Sequence, residues 1–307
     1  MKSAGLIKKV VGALLVLLLA FSFGIPVLAA GGVPNAVTDA RSSVVRIAVM
    51  HNDYYVGSGS GFAVGRGDEI YIITNWHVTT FDEIDAKEIK FRIYFAENRY
   101  IPATLKGTSA GRDLAILEPV NPIPGLKPIA LQTGEVKTGA AGYALGFPGS
   151  ADDISGTFLT GEDAITITNG IVSGIRSFSI GDNSRPNTQI LQTNIAISGG
   201  NSGGPLLDSG GNVIGINTLG VTTDSNLFAC VHVQELVEYL DDSNIAYTTA
   251  ADKVWGTALW AMLGVLIAGI AVLVVFCLKS TKNPPLLRAA KTAFPFLAWL
   301  CPAAGFI

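Results

Sequence analysis

Residues 197–211 read ISGGNSGGPLLDSGG: one serine, Ser202, stands between paired glycines and is followed by a short apolar run and a second glycine turn. Gly200-Asn201-Ser202-Gly203-Gly204 satisfies G-x-S-x-G, the pattern in which a strand turns sharply into a helix and presents a serine nucleophile. Pro205 stands where that helix would have to begin, and Asp208-Ser209-Gly210-Gly211-Asn212 is a turn signature. The chain after Ser202 therefore reads as a hairpin. The strand-to-helix elbow is set aside, and the serine belongs to an all-β context.

Working outward, that context extends in both directions. SVVRIAVM, YYVGSGSGFAV, EIYIITNWHV, EIKFRIYFA, RYIPATLKG and DLAILEPV are rich in branched and aromatic residues and are mostly separated by Gly, Asn, Asp or Pro. They make six strands in the region of about 40–120. The proline-rich stretch Pro119 to Pro128 reads as a linker. GAAGYALGFP, TITNGIVSGI, TQILQTNIAI, GGPLLD, NVIGINTLGV and NLFACV then make a second six, over about 135–241. Two six-stranded sets without intervening helices predict an all-β fold of two antiparallel β-barrels within one domain, 34–250. One helix is expected, from His232 to Asp241. Val233, Leu236, Val237 and Leu240 recur there at i, i+3, i+4 and i+7, as in a closing helix docked by its apolar face.

The chain of 307 residues is 49% hydrophobic and 15% charged, more apolar than an ordinary soluble domain. Two runs carry the excess. Val10 to Ala29 follows Lys2, Lys8 and Lys9 and precedes the small residues around Ala29-Ala30-Gly31, so 1–30 reads as a secretory signal or a retained N-terminal anchor. The uncharged run Val254 to Leu278 is long enough for a transmembrane helix in contact with lipid. Lys279, Lys282, Arg288 and Lys291 follow it, which places the short tail 279–307 in the cytoplasm and the main domain outside. Trp255 and Trp260 are expected near the outer interface. The net charge of −3 carries no basic stripe, which argues against a nucleic-acid partner. Of three cysteines only Cys230 lies in the exported part, so no disulfide within that domain is expected.

Ser202 needs a base and an acid if it is a nucleophile. Of three histidines, His77 ends the apolar strand EIYIITNW, while His51 precedes a turn and His232 starts the closing helix. Asp113, in Gly111-Arg112-Asp113-Leu114-Ala115-Ile116-Leu117, lies at a strand mouth of the same barrel, where it can fix the tautomer of a histidine. Taken singly, each has an ordinary structural reading: a lone histidine at a strand end, a solvated turn aspartate. Together they would place base and acid on the first barrel and nucleophile on the second. Gly57-Ser58-Gly59-Ser60-Gly61 has neither the spacing nor the following helix of a dinucleotide loop. No His, Cys or carboxylate set has metal-ligand spacing, so no metal and no cofactor is expected.

Thr74-Asn75-Trp76-His77-Val78, Arg112-Asp113-Leu114-Ala115-Ile116-Leu117 and Gly200-Asn201-Ser202-Gly203-Gly204-Pro205-Leu206, in this order, resemble the trypsin-like serine proteases of the HtrA (DegP) family. Ser58-Gly59-Ser60-Gly61-Phe62, Thr168-Asn169-Gly170-Ile171-Val172-Ser173 and Gly215-Ile216-Asn217-Thr218 extend the likeness. The resemblance implies a chymotrypsin-like double barrel and a serine endopeptidase acting on proteins or peptides, in cell-envelope quality control or regulated proteolysis. It implies the triad His77, Asp113 and Ser202, and an oxyanion hole along Gly200-Asn201-Ser202 supplied by the N–H groups of Gly200 and Ser202. It puts Ala196 on the floor of the primary pocket beside Ile197, with walls from Ile216, Asn217 and Thr218 and the strand near Phe228 and Ala229. Without an acidic floor, a small or medium aliphatic residue is expected before the cut. A membrane helix stands where the family usually carries a peptide-binding PDZ domain. The reading from another class is a noncatalytic binding module on the same fold, holding a collapsed oxyanion loop.

Overall fold

The computed structural model describes residues 32–179, 187–220 and 227–281; the expected N-terminal signal or anchor and the tail from 282 onward lie outside the described residues. The domain Gly31–Val254 contains two closed six-stranded antiparallel barrels. The first is built from β1 (Val44–His51), β2 (Tyr54–Arg66), β3 (Glu69–Thr74), β4 (Ile89–Ala96), β5 (Arg99–Ser109) and β6 (Leu114–Pro119), in the order β1-β2-β3-β6-β5-β4. The second is built from β7 (Ala141–Gly146), β8 (Thr166–Phe178), β9 (Thr188–Thr193), β10 (Pro205–Leu207), β11 (Val213–Gly220) and β12 (Phe228–His232), in the order β10-β11-β12-β9-β8-β7. Each expected strand is present; β3, β7, β9 and β10 are shorter than expected, while β2, β5 and β8 run two or three residues further.

The burial patterns show why these segments are strands. In β4, Ile89, Phe91 and Ile93 point into the first barrel while Lys90 faces out, the two-residue period of a half-covered sheet. β1 is buried on both faces, because its outer side lies under chain from the second barrel. The hairpin after Ser202 forms as expected: Leu206 pairs with Gly215 and Leu207 with Val213, and Asp208 closes the turn by accepting from Gly210 N–H at 2.8 Å. The stretch Pro119 to Pro128 is no free linker, since Ile123 and Leu126 are buried in the first barrel's core.

Five α-helices accompany the strands among the described residues: α1 (Asn35–Asp39), α2 (Trp76–Thr79), α3 (Gly149–Ser155), α4 (Val233–Asp242) and α5 (Ala250–Thr281). α4 is the closing helix, with Val233, Leu236, Val237 and Leu240 all buried. It starts on His232, whose Nδ1 accepts from Gln234 N–H at 3.0 Å. It ends with Asn244 at φ 55 and Ile245 N–H on the Leu240 carbonyl at 2.9 Å, a Schellman closure. α5 is long and apolar enough over Ala250–Gly269 to cross a membrane, and none of that stretch is buried.

Candidate active site

His77 does not end β3, as expected from the sequence, but sits in the single turn α2 just beyond it. The turn begins at Asn75, whose side chain makes no cap and instead runs sideways, donating from Nδ2 to the Asp113 carbonyl at 2.8 Å and to Thr218 Oγ1 at 3.0 Å. One buried amide thus ties the first barrel's acid-bearing turn to β11 of the second barrel.

Asp113 closes a 3₁₀ turn (Ala110–Arg112) in the left-handed conformation, φ 52 and ψ 45, immediately before β6. Its side chain is 3% exposed and that of His77 40%, so the acid lies behind the base. The carboxylate accepts His77 Nδ1–H at 3.0 Å and 2.9 Å on its two oxygens, and His77 backbone N–H at 3.1 Å. A carboxylate only accepts, so the proton of a neutral imidazole lies on Nδ1 and Nε2 carries the free lone pair. The contact selects the tautomer of a base.

Ser202 reaches this place from the other barrel. Its carbonyl accepts Ser60 N–H at 2.8 Å, and a Cβ added at Gly59 would lie 2.7 Å from Val78 Cγ1 and 3.1 Å from that same carbonyl. The residue next to His77 and the backbone of Ser202 thus pack against one point of β2. Ser202 Oγ donates to the Thr218 carbonyl at 3.5 Å, and among the described residues no hydrogen bond joins it to His77. Hydrogen bonds between a nucleophile and its base are often long in unliganded enzymes, so this geometry is compatible with such a pair.

The backbone before Ser202 leaves two N–H groups without a protein acceptor among the described residues. Gly199 carbonyl accepts Gly149 N–H at 2.8 Å, and a trans peptide turns the following N–H, that of Gly200, the opposite way. Among the described residues neither Gly200 N–H nor Ser202 N–H has a hydrogen-bond acceptor. Gly200 and Gly203 lie at φ 95 and φ 83, where a Cβ would stand 2.4 Å from the Phe147 carbonyl and 2.2 Å from Thr74 Oγ1. Only glycine fits at either position. Asn201, between them, is buried, with its Oδ1 unpartnered.

The expected pocket residues separate. Ala196 is exposed, while Ile197, Ile216, Asn217 and Thr218 are buried. Asn217 is a strut: its N–H and carbonyl pair with Gly204 and Gly203 at 2.9 Å each, and its Nδ2 donates to the Leu145 carbonyl at 3.1 Å. Ser60 has no role readable from the sequence, although its motif is legible there. It is fully buried, donates to the Gly200 carbonyl at 2.7 Å and accepts Phe147 N–H at 2.9 Å. Burial pushes the Cys230 thiol well up, so that it stays protonated and inert. A cavity of about 800 Å³, lined in part by Asp39, Lys127, Glu162 and Asp252, contains none of these residues, so volume is no guide to the chemistry here.

Residues 59–216 match the model of the trypsin-like peptidase domain. Protease Do-like 1, chloroplastic, of Arabidopsis thaliana is 35% identical over 53% of this chain and 33% of its own. Serine protease Do-like HtrB of Bacillus subtilis is 32% identical over 64% of this chain and 43% of its own. This chain therefore spans less than half the length of either relative. The active form of the Rv3671c protease from M. tuberculosis superposes with a TM-score of 0.55 at 23% identity, covering 70% of this chain and 86% of that one. The serine endoprotease from Yersinia pestis gives 0.51 at 26% identity, over 68% of this chain and 65% of that one.

Proposed function

The chain belongs to the trypsin-like peptidase domain family, and from that premise we propose that it is a serine endopeptidase with His77, Asp113 and Ser202 as its triad. The observation that carries the reading is the buried Asp113 carboxylate on His77 Nδ1, which directs the basic Nε2 outward. In the proposed cycle, Ser202 Oγ leaves the Thr218 carbonyl and attacks the scissile carbonyl carbon as His77 Nε2 takes its proton. His77 then protonates the leaving amine, and water repeats the sequence to free the acyl product. Asp113 stabilises the imidazolium. The N–H groups of Gly200 and Ser202 bind the tetrahedral oxyanion, each contributing about 3–4 kcal/mol by analogy with a well-studied subtilisin donor.

Ala196, with Ile195 and Ile197 on either side, favours a small or medium aliphatic residue before the cut. A peptide library cleaved mainly after Lys or Arg would sink that assignment. The substrates are proteins or peptides outside the cytoplasmic membrane, in envelope quality control or regulated proteolysis. α5 tethers the enzyme to lipid, with the C-terminus in the cytoplasm.

A fluorophosphonate probe tests the reaction. It is expected to label the wild-type chain and not Ser202→Ala. The bond from Ser202 Oγ to the Thr218 carbonyl favours one rival, a noncatalytic binding module, and that rival predicts no Ser202-dependent labelling in any condition.

A further inference from the structure

Arg46 is an anomaly in β1. Its neighbours Val45 and Ile47 are core residues, yet its own side chain is only 1% exposed and carries a charge. A guanidinium there needs partners, and its two Nη groups have them while Nε has none. Nη1 donates to Asp152 Oδ1 at 2.7 Å and to the Leu159 carbonyl at 2.7 Å; Nη2 donates to Asp152 Oδ2 and to Ser58 Oγ, the latter at 3.2 Å. Phe158 lies over its face, 3.7 Å from ring centroid to guanidinium carbon. Asp152 Oδ1 also accepts Leu159 N–H at 2.9 Å, so this one carboxylate closes the segment 152–159 and anchors it to β1. Burial raises the Asp152 carboxyl, but hydrogen bonds from Arg46 and Leu159 outweigh it and hold the group below the usual carboxylate range.

Asp152 belongs to α3, a helix with no buried residue. An element without an apolar face is held by its polar contacts. At its start, Gly149 N–H binds the Gly199 carbonyl, the contact that turns Gly200 N–H away toward the proposed oxyanion site. There is no slack between the two segments, since a Cβ at Gly200 would lie 2.4 Å from the Phe147 carbonyl and 2.8 Å from Gly149 N.

We propose that Arg46 and Asp152 form a clamp that positions the oxyanion hole, acting through α3 and the Gly149–Gly199 hydrogen bond. None of the three touches substrate; Arg46, Asp152 and Gly149 are positioning residues. The proposal rests on the endopeptidase reading above. It makes the first barrel's β1 a determinant of the second barrel's anion site. Release of Asp152 frees α3, the Gly199 peptide loses its fixed acceptor-side contact, and Gly200 N–H is no longer held toward the developing oxyanion.

Two variants of the full chain test the clamp. Asp152→Asn removes the charge that fixes Arg46. Gly149→Pro removes the N–H and sets the ring Cδ against the Gly199 carbonyl, so the contact cannot form: position 149 is the first residue of α3, where proline is accepted, and Pro148 at ψ 132 has the extended backbone that a residue before proline requires. Wild type is first shown to be labelled at Ser202 by the fluorophosphonate. Each variant is then compared with it for kcat and KM on a peptide substrate, for the Kd of a peptide boronate that mimics the tetrahedral intermediate, and for thermal unfolding. Both variants are expected to lose kcat by about 30-fold or more, toward the roughly 10²–10³-fold loss that removing an oxyanion donor causes, with KM within about threefold. Boronate affinity should fall in step with kcat/KM. If either variant, folded at the assay temperature, keeps wild-type kcat and boronate affinity, the clamp is overturned. Parallel changes in kcat and KM without a selective loss of boronate binding also overturn it. A wild-type chain that shows no Ser202-dependent labelling instead overturns the endopeptidase reading itself.

Discussion

Asp113 is held by its surroundings: its left-handed backbone, its carbonyl bond from Asn75 and its three contacts to His77 leave it one orientation. Replacing it with asparagine keeps the shape and exchanges one acceptor oxygen for a donor. The amide NH₂ then faces Nδ1, which must become the acceptor, so the proton moves to Nε2 where a base is needed. Asp113→Asn is expected to lower kcat by about 10⁴-fold with little change in KM, as the same exchange does in another triad protease. Steady-state kinetics on a folded variant check this, and a loss below about tenfold would remove Asp113 from the proposed triad. Ser60→Ala tests a different kind of residue. It orphans the Gly200 carbonyl and Phe147 N–H in a buried place, so a stability loss of about 1–3 kcal/mol is expected in denaturant unfolding. His77, Asp113 and Ser202 were legible because nucleophile chemistry demands those side-chain types in a motif. The roles of Ser60, Asn75 and Asn217 were not, although Ser60 and Asn75 stand in quoted motifs and Asn217 was expected as a pocket wall: they hold backbone groups of the other barrel or of a distant strand, and no spacing along the chain encodes such a hydrogen bond.

At the scale of elements, the strands were legible from alternation and turn residues, and α4 from its apolar period. α3 was not. GSADDIS has no apolar face, and the helix exists because Asp152 is drawn to Arg46, a partner far away in sequence. The turn at His77 was also missed, because its first residue spends its side chain on Asp113 and Thr218 rather than on a cap. α4 offers a pH test. Burial lowers the pKa of its cap, His232, below the ordinary value of about 6.5. Nδ1 must be unprotonated to accept Gln234 N–H. Between the folded and unfolded pKa values the unfolded chain binds more protons, so the cap's contribution is complete above about pH 6.5 and is lost as pH falls through the folded pKa. His232→Asn supplies a cap that does not titrate. The variant is expected to lose less stability than wild type between about pH 7 and pH 5, by a difference of about 0.5–2 kcal/mol, the usual worth of a cap. Equal slopes of Tm against pH in the two proteins would remove His232 as the source.

The whole chain joins a polar-sited double barrel to a helix of a different character. In α5, Leu259, Trp260, Met262, Leu266 and Ile267 are all more than half exposed, a surface that water disfavours and hydrocarbon accepts. The charges on either side of its uncharged run, Val254 to Leu278, are unequal. Asp241, Asp242 and Asp252 come before that run with the cation Lys253, while Lys279, Lys282, Arg288 and Lys291 follow. Moving one cation outward across a membrane polarised at about 100 mV costs about 2.3 kcal/mol, so four on one side favour the proposed orientation, with the C-terminus in the cytoplasm. In bacterial cells, a C-terminal green fluorescent protein, which fluoresces when it folds in the cytoplasm, is expected to be bright. A C-terminal alkaline phosphatase, active only after export, is expected to be silent. Replacing all four basic residues with glutamine should weaken that difference, and Ser202 labelling by an impermeant fluorophosphonate should fall with it as part of the population turns its protease domain inward. A bright phosphatase fusion in the unaltered chain would reverse the assigned orientation and place the candidate site in the cytoplasm.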